Sequence, residues 1–146
     1  AFRPLFRDDA IIVGRKDHPL GNAGSVARLG EAAWVRSSAI GGGMSAGALN
    51  DLFVRAGLPI PRTIVQCDSY NIMVALIART DVLGVIVKRY LSTVPACDLL
   101  QEIRVRESLP SVTIGLVMRK DPPLTPAAAA MARIVTTVSR QLAVRS

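Results

Sequence analysis

The sequence predicts an α/β fold on a parallel sheet, and three observations carry that reading. Segments with a period of two alternate with segments whose apolar residues recur every three or four positions. Val82-Leu83-Gly84-Val85-Ile86-Val87 is a near-continuous apolar run, as in a strand covered on both faces. The order strand, helix, strand, helix, strand that ends there has the spacing of two βαβ units.

Ala10 to Gly14 is a short apolar run that reads as a strand, and Asp17-His18-Pro19-Leu20 as the turn after it. Gly21-Asn22-Ala23-Gly24 leads into a short helix over residues 25–33, and Trp34 to Ser37 is a brief strand feeding the cluster Gly41-Gly42-Gly43. From Ser45 the period is helical: Ala48, Leu49, Leu52, Phe53 and Ala56 share one face, Gly57 stands as the C′ residue, and Pro59 and Pro61 stop any continuation. Arg62 to Cys67 alternates and carries Thr, Ile and Val, which makes it a strand. Asp68 and Ser69 both suit the N-cap of the next helix, with Ile72, Met73, Leu76 and Ile77 expected as its buried stripe. Beyond Val87, residues 99–105 and 112–118 read as strands separated by Glu107-Ser108-Leu109-Pro110. A long helix follows, with Thr125 as N-cap, Pro126 in its first position, and apolar residues at Ala128, Met131, Val135, Val138 and Leu142.

Half of the 146 residues are apolar, which argues against disorder. The longest apolar runs fall far short of the roughly 20 residues of a membrane span. Eighteen Lys and Arg against eleven Asp and Glu leave a net charge of +7. The basic residues come in ones and twos with few aromatics among them, so the charge suits surface solvation or an anionic small partner better than direct contact with nucleic acid. Cys67 and Cys97 form no CxxC pair, fit a reducing cytoplasm, and suggest neither zinc nor a dithiol motif; Cys67 reads as a structural thiol rather than a redox sensor. His18 is the only histidine, which excludes a two-histidine metal site, and no cofactor is expected. The first residues show no starting Met, signal peptide or transit character, so the chain is expected to begin inside something longer.

Two loops have a chemical mechanism attached. Residues 40–45, Ile-Gly-Gly-Gly-Met-Ser, join a strand to a helix, where backbone N–H groups can converge on an anion at the positive end of the helix dipole. Neither GxGxxG nor GxxxxGK[ST] is present, so a dinucleotide or P-loop site is not expected, and a triple Gly equally makes a plain surface loop. Gln66-Cys67-Asp68-Ser69 is the second such turn. Ser69 reads first as an N-cap and second as a ligand contact. Both turns leave carboxyl ends of strands, where open α/β sheets bind ligands, and two helix N-termini facing one crevice suit a carboxylate or phosphate. Asp8, Asp9 and Asp51 do not stand at catalytic spacing, and no nucleophile, base and orienting group can be assembled.

The residues also form an ordered series. Pro4-Leu5-Phe6-Arg7-Asp8-Asp9, His18-Pro19-Leu20, Leu29-Gly30-Glu31, Trp34-Val35, residues 52–59, residues 64–69, Ala75-Leu76-Ile77-Ala78, Val82 to Val87, and residues 114–119 together resemble the effector-binding domain of LysR-type transcriptional regulators. The resemblance implies a type 2 periplasmic-binding-protein-like fold, two α/β subdomains joined by two crossover strands with a small effector between them. On this chain it implies the second subdomain over residues 8–90, and the crossover and returning half of the first over residues 91–146. The winged helix-turn-helix that reads DNA has no counterpart here, so DNA contact is expected only outside this sequence. Effector contacts are expected at Gly42, Gly43, Met44 and Ser45, joined by Gln66, Asp68 and Ser69. Lys88 stands where the family usually has proline after the strand, and Arg79-Thr80-Asp81 lacks the common Gly.

The function expected is therefore that of a cytoplasmic, non-enzymatic sensing domain for a small anionic effector, an aromatic acid or other carboxylate, with no membrane partner. Family members are commonly homodimers or homotetramers through this domain. The alternative is a solute-binding protein or small α/β enzyme of related fold, weakened by the poverty in catalytic groups.

Overall fold

The computed structural model describes residues 1–37, 44–93, 97–121 and 123–144. They fall into two compact units, Asp9–Pro110 and Ala1–Asp8 with Ser111–Ser146. The class is α/β, as the alternating periods predict.

The Asp9–Pro110 unit is built on a sheet of strand order β3-β2-β4-β1-β5. Its strands are the later part of β1 (Phe2–Arg15), β2 (Ala33–Ser37), β3 (Thr63–Cys67), β4 (Val82–Val87) and β5 (Leu100–Glu102). β2 runs parallel to both β3 and β4, so β2, β3, β4 and the helices α1 (Met44–Arg55) and α2 (Tyr70–Arg79) make the two βαβ units. β1 is antiparallel to β4, with Ile11 opposite Ile86 and Val13 opposite Gly84, and antiparallel to β5. β4 is buried from Val82 to Ile86, as its unbroken apolar run requires.

α1 and α2 pack on opposite faces of the sheet. Trp34 projects toward α1, where it meets Phe53 edge to face, with centroids 6.0 Å apart and planes at 89°. Val35 projects the other way and joins Met73, Val74 and Ile77 of α2 with Ile11, Val13 and Ile86 in one cluster. Gly57, at φ +69°, ends α1 as the C′ residue, and its N–H is donated to the Val54 carbonyl at 3.0 Å. Thr80 makes the turn into β4 without a glycine: its hydroxyl donates to the Leu76 carbonyl at 2.8 Å and accepts from the Val82 N–H at 3.4 Å.

Several expectations are corrected. The helix expected over residues 25–33 is a 3-10 helix over Val26–Leu29, because only Val26 and Leu29, three apart, are buried. Ile72, expected in the α2 stripe, is 57% exposed, and Val74 takes the inward place beside Met73 and Ile77. Lys88 opens a short helix α3 (Lys88–Thr93) directly after β4. The strand expected over residues 99–105 shortens to β5, followed by one isolated bridge between Val105 and Gly24.

In the Ala1–Asp8 and Ser111–Ser146 unit, β6 (Ser111–Val117) pairs with the start of β1. Ala1 and Met118 exchange hydrogen bonds at 2.6 and 2.9 Å. Gly115 allows the close approach, since a Cβ there would fall 2.5 Å from the Arg3 carbonyl oxygen. β1 thus starts eight residues earlier than the apolar run marks, because its first half is charged and finds its partner in β6. Helix α4 (Pro126–Val144) is capped by the Thr125 hydroxyl, which accepts from the Ala128 N–H at 3.3 Å. Its Met131, Ile134 and Val138 remain exposed.

Candidate functional site

The parallel register sets Arg36 opposite Gln66 and Ser37 opposite Cys67. The carboxyl ends of β2 and β3 therefore lie side by side, and the segments leaving them toward α1 and α2 start from one rim of the sheet. Met44 and Ser45 open α1 on the first of these paths. Gly42 and Gly43 lie outside the described residues.

On the second path Gln66 and Asp68 are exposed, and Asp68 is engaged in a polar contact. Ser69 is the N-cap of α2: its hydroxyl oxygen accepts from the Ile72 N–H at 3.4 Å, leaving the hydroxyl proton for another partner. The half-buried Cys67 thiol donates to the Ser69 carbonyl at 3.2 Å, which fixes the bend between β3 and α2. Gln66, Asp68 and Ser69 thus stand within one strand-to-helix turn, beside the end of β2.

Arg36 is the residue at this rim that sequence reasoning missed. It follows Trp34 by two positions and so projects to the same face of the sheet, toward α1. Its Nη2 donates to Asn50 Oδ1 of α1 at 2.8 Å. Its Nε is buried without a hydrogen-bond partner. Among the described residues no carboxylate lies within ion-pair distance of it. Burial pulls the guanidinium below its ordinary pKa range. A charged residue directly after the apolar run Ala32-Ala33-Trp34-Val35 was the available signal.

His18 belongs to the scaffold. It is buried, its Nδ1 accepts from the Leu20 N–H at 3.0 Å, and its Nε2 lies 3.2 Å from the Asp81 carbonyl oxygen. A cavity of about 580 Å³ is lined by Gly21, Asn22, Gly24, Gln101, Glu102 and Arg104. Among the described residues, no group of three or more His, Cys, Asp and Glu could hold a metal ion, and no helix is long and apolar enough to cross a membrane.

Residues 1–140 match the family model of the LysR substrate binding domain. The chain belongs to that family. The ordered series of segments from Pro4 to Arg119 is what the match covers. Solved structures agree in fold. The chain is similar to the regulatory domain of CcmR from Synechocystis PCC6803, in complex with 2-PG, at 17% identity and TM-score 0.73, covering 95% of this chain and 66% of that one. It is similar to the effector-binding domain of QuiR in complex with shikimate, at 16% identity and TM-score 0.73, covering 97% and 66%. The effector domain of AmpR from Pseudomonas aeruginosa matches at 16% identity and TM-score 0.67, again covering 97% and 66%. This LysR chain therefore spans just under two thirds of the length of those domains. They have the type 2 periplasmic-binding-protein-like fold, and so does this chain.

Proposed function

We propose that this LysR domain is the effector sensor of a cytoplasmic transcriptional regulator and binds a small anionic metabolite, an aromatic acid or other carboxylate. The effector rests at the carboxyl ends of β2 and β3, against Gly42, Gly43, Met44 and Ser45 on one path and Gln66, Asp68 and Ser69 on the other. Residues 8–90 act as the second subdomain, and residues 91–146 as the crossover and the returning half of the first. The observation that supports this most is the parallel pairing that sets Arg36 and Ser37 beside Gln66 and Cys67, so that both turns leave one rim. The complexes of CcmR with 2-PG and of QuiR with shikimate support a small polar ligand.

The domain works by differential binding. An effector that prefers one arrangement of the regulator shifts the population toward it by no more than that preference, and the helix-turn-helix outside this sequence carries the change to DNA in a homodimer or homotetramer. A thermal-shift screen against aromatic acids, dicarboxylates and amino acids tests the reading. A hit at 100-fold its Kd adds about 2.7 kcal/mol of stability. A screen in which only neutral or cationic compounds stabilise the protein contradicts it.

A further inference from the structure

A buried or half-buried charge is ordinarily met by an opposite charge or by a full set of hydrogen bonds, because removing it from water costs more than packing returns. Arg36 departs from that rule. One of its five N–H donors meets a neutral amide, Asn50 Oδ1, its Nε–H is closed off from solvent with nothing to receive it, and no carboxylate among the described residues neutralises it. Other guanidinium groups of this unit show the contrast: Arg15 pairs with Asp81 at 2.7 Å and donates to the Lys16 and Asp17 carbonyls, Arg106 pairs with Glu107 at 3.5 Å, and Arg55 donates to the Asp51 and Ser108 carbonyls.

The position of Arg36 gives the departure a direction. It is next to last in β2, opposite Gln66, at the rim where the carboxyl ends of β2 and β3 lie side by side. Asn50 holds it from the α1 side, so the guanidinium is orientated before any ligand arrives. A planar cation kept this way has the donor geometry that takes two oxygens of an oxyanion.

We propose that Arg36 is the binding residue that pairs with the oxyanion of the effector, a carboxylate or a phosphate, an assignment that rests on the effector-binding reading above. The charge that no carboxylate among the described residues meets is then neutralised by the ligand, and Asn50 acts as its positioning residue. The cost of holding a bare cation at the rim is recovered only when an anion is bound.

The test follows the Arg Nε–Hε signals of the ¹⁵N-labelled chain by NMR, with the Arg36 signal assigned by its loss in Arg36→Lys. Benzoate, shikimate and inorganic phosphate are titrated into the wild type, Arg36→Lys and Arg36→Met. The Arg36 signal is expected to move saturably with at least one of them. The Met variant should bind that anion about ten- to a hundredfold more weakly, the loss of a charge-assisted pair, yet melt at or above the wild-type Tm because it no longer holds an unpaired cation. Response to benzoate or shikimate rather than phosphate identifies a carboxylate, and the converse a phosphate. Saturable binding that leaves the Arg36 signal unmoved, or that survives Arg36→Met, overturns the assignment and leaves the effector-binding reading standing. A Tm lowered by more than about 5 °C in Arg36→Met assigns Arg36 to holding α1 and overturns it as well. Absence of saturable shifts with all three anions overturns the assignment and the anionic-effector reading together.

Discussion

The Ser25 hydroxyl donates to Glu107 Oε1 at 2.9 Å, joining two residues 82 positions apart. The other carboxylate oxygen accepts from the Val26 N–H at 3.0 Å, so Glu107 occupies the N-terminus of the 3-10 helix that Ser25 caps. The Val26 N–H holds the Glu107 carboxyl below its ordinary range, helped by its own backbone N–H, Ser25 and Arg106, and against partial desolvation. A carboxylate with a depressed folded pKa adds stability that is complete above its unfolded value of about 4.3 and is lost as pH falls through the folded one. Glu107→Gln is therefore expected to lower the Tm at pH 7 and to converge with the wild type in acid. Thermal melts of both proteins between pH 7 and pH 2 measure this, and a Tm gap independent of pH contradicts it.

Phe53 is fully buried and meets Trp34, the single tryptophan of the chain, in an edge-to-face contact. Phe53→Ala removes that partner and leaves a cavity under α1, at an expected cost of about 3–5 kcal/mol. Trp34 emission should shift to the red at the same time, since its ring is wholly shielded in the wild type. Urea unfolding followed by fluorescence reads both effects.

Gly84 sits in β4 under Ile77 of α2, and a Cβ there would come 2.5 Å from Ile77 Cδ1. Gly84→Ala is expected to destabilise by about 1–3 kcal/mol through overpacking. Ile77→Val removes the methyl in the way, so the double variant should lose less than the sum of the two single changes. A double-mutant cycle checks the coupling.

His18 satisfies two backbone groups from a buried position. Because Nδ1 accepts from the Leu20 N–H, the ring proton sits on Nε2 and is donated to the Asp81 carbonyl. His18→Leu strands that N–H and that carbonyl, at an expected cost of about 1–3 kcal/mol. The turn after β1 and the entry to β4 should then lose amide-exchange protection together, which hydrogen exchange at Leu20 and Leu83 would report.

The parts of the fold written in strong local patterns were legible. The run Val82 to Val87, the Gly57 stop and the Thr125-Pro126 start each rest on chemistry confined to a few neighbouring residues. What was hidden depends on partners distant in sequence. The first half of β1 is charged and becomes a strand only because β6 lies against it. Ile72 and Val74 are equally apolar, and only the setting of α2 on β2 and β4 turns Val74 inward. At the rim, the turn Gln66 to Ser69 could be read from a strand meeting an N-cap. The charge of Arg36 at the end of β2 was visible, but not that no carboxylate among the described residues lies beside it, which is a property of the fold.

The most direct measurement of the central claim is isothermal titration calorimetry of a carboxylate from the thermal-shift screen into the wild type and Ser45→Trp, with both melts recorded. Saturable binding to the wild type and its loss in a variant that still folds are expected, because the indole would occupy the place proposed for the effector. Equal binding by the two proteins would contradict the placement of the effector at this rim, and failure of every carboxylate to bind the wild type would contradict the proposed function itself.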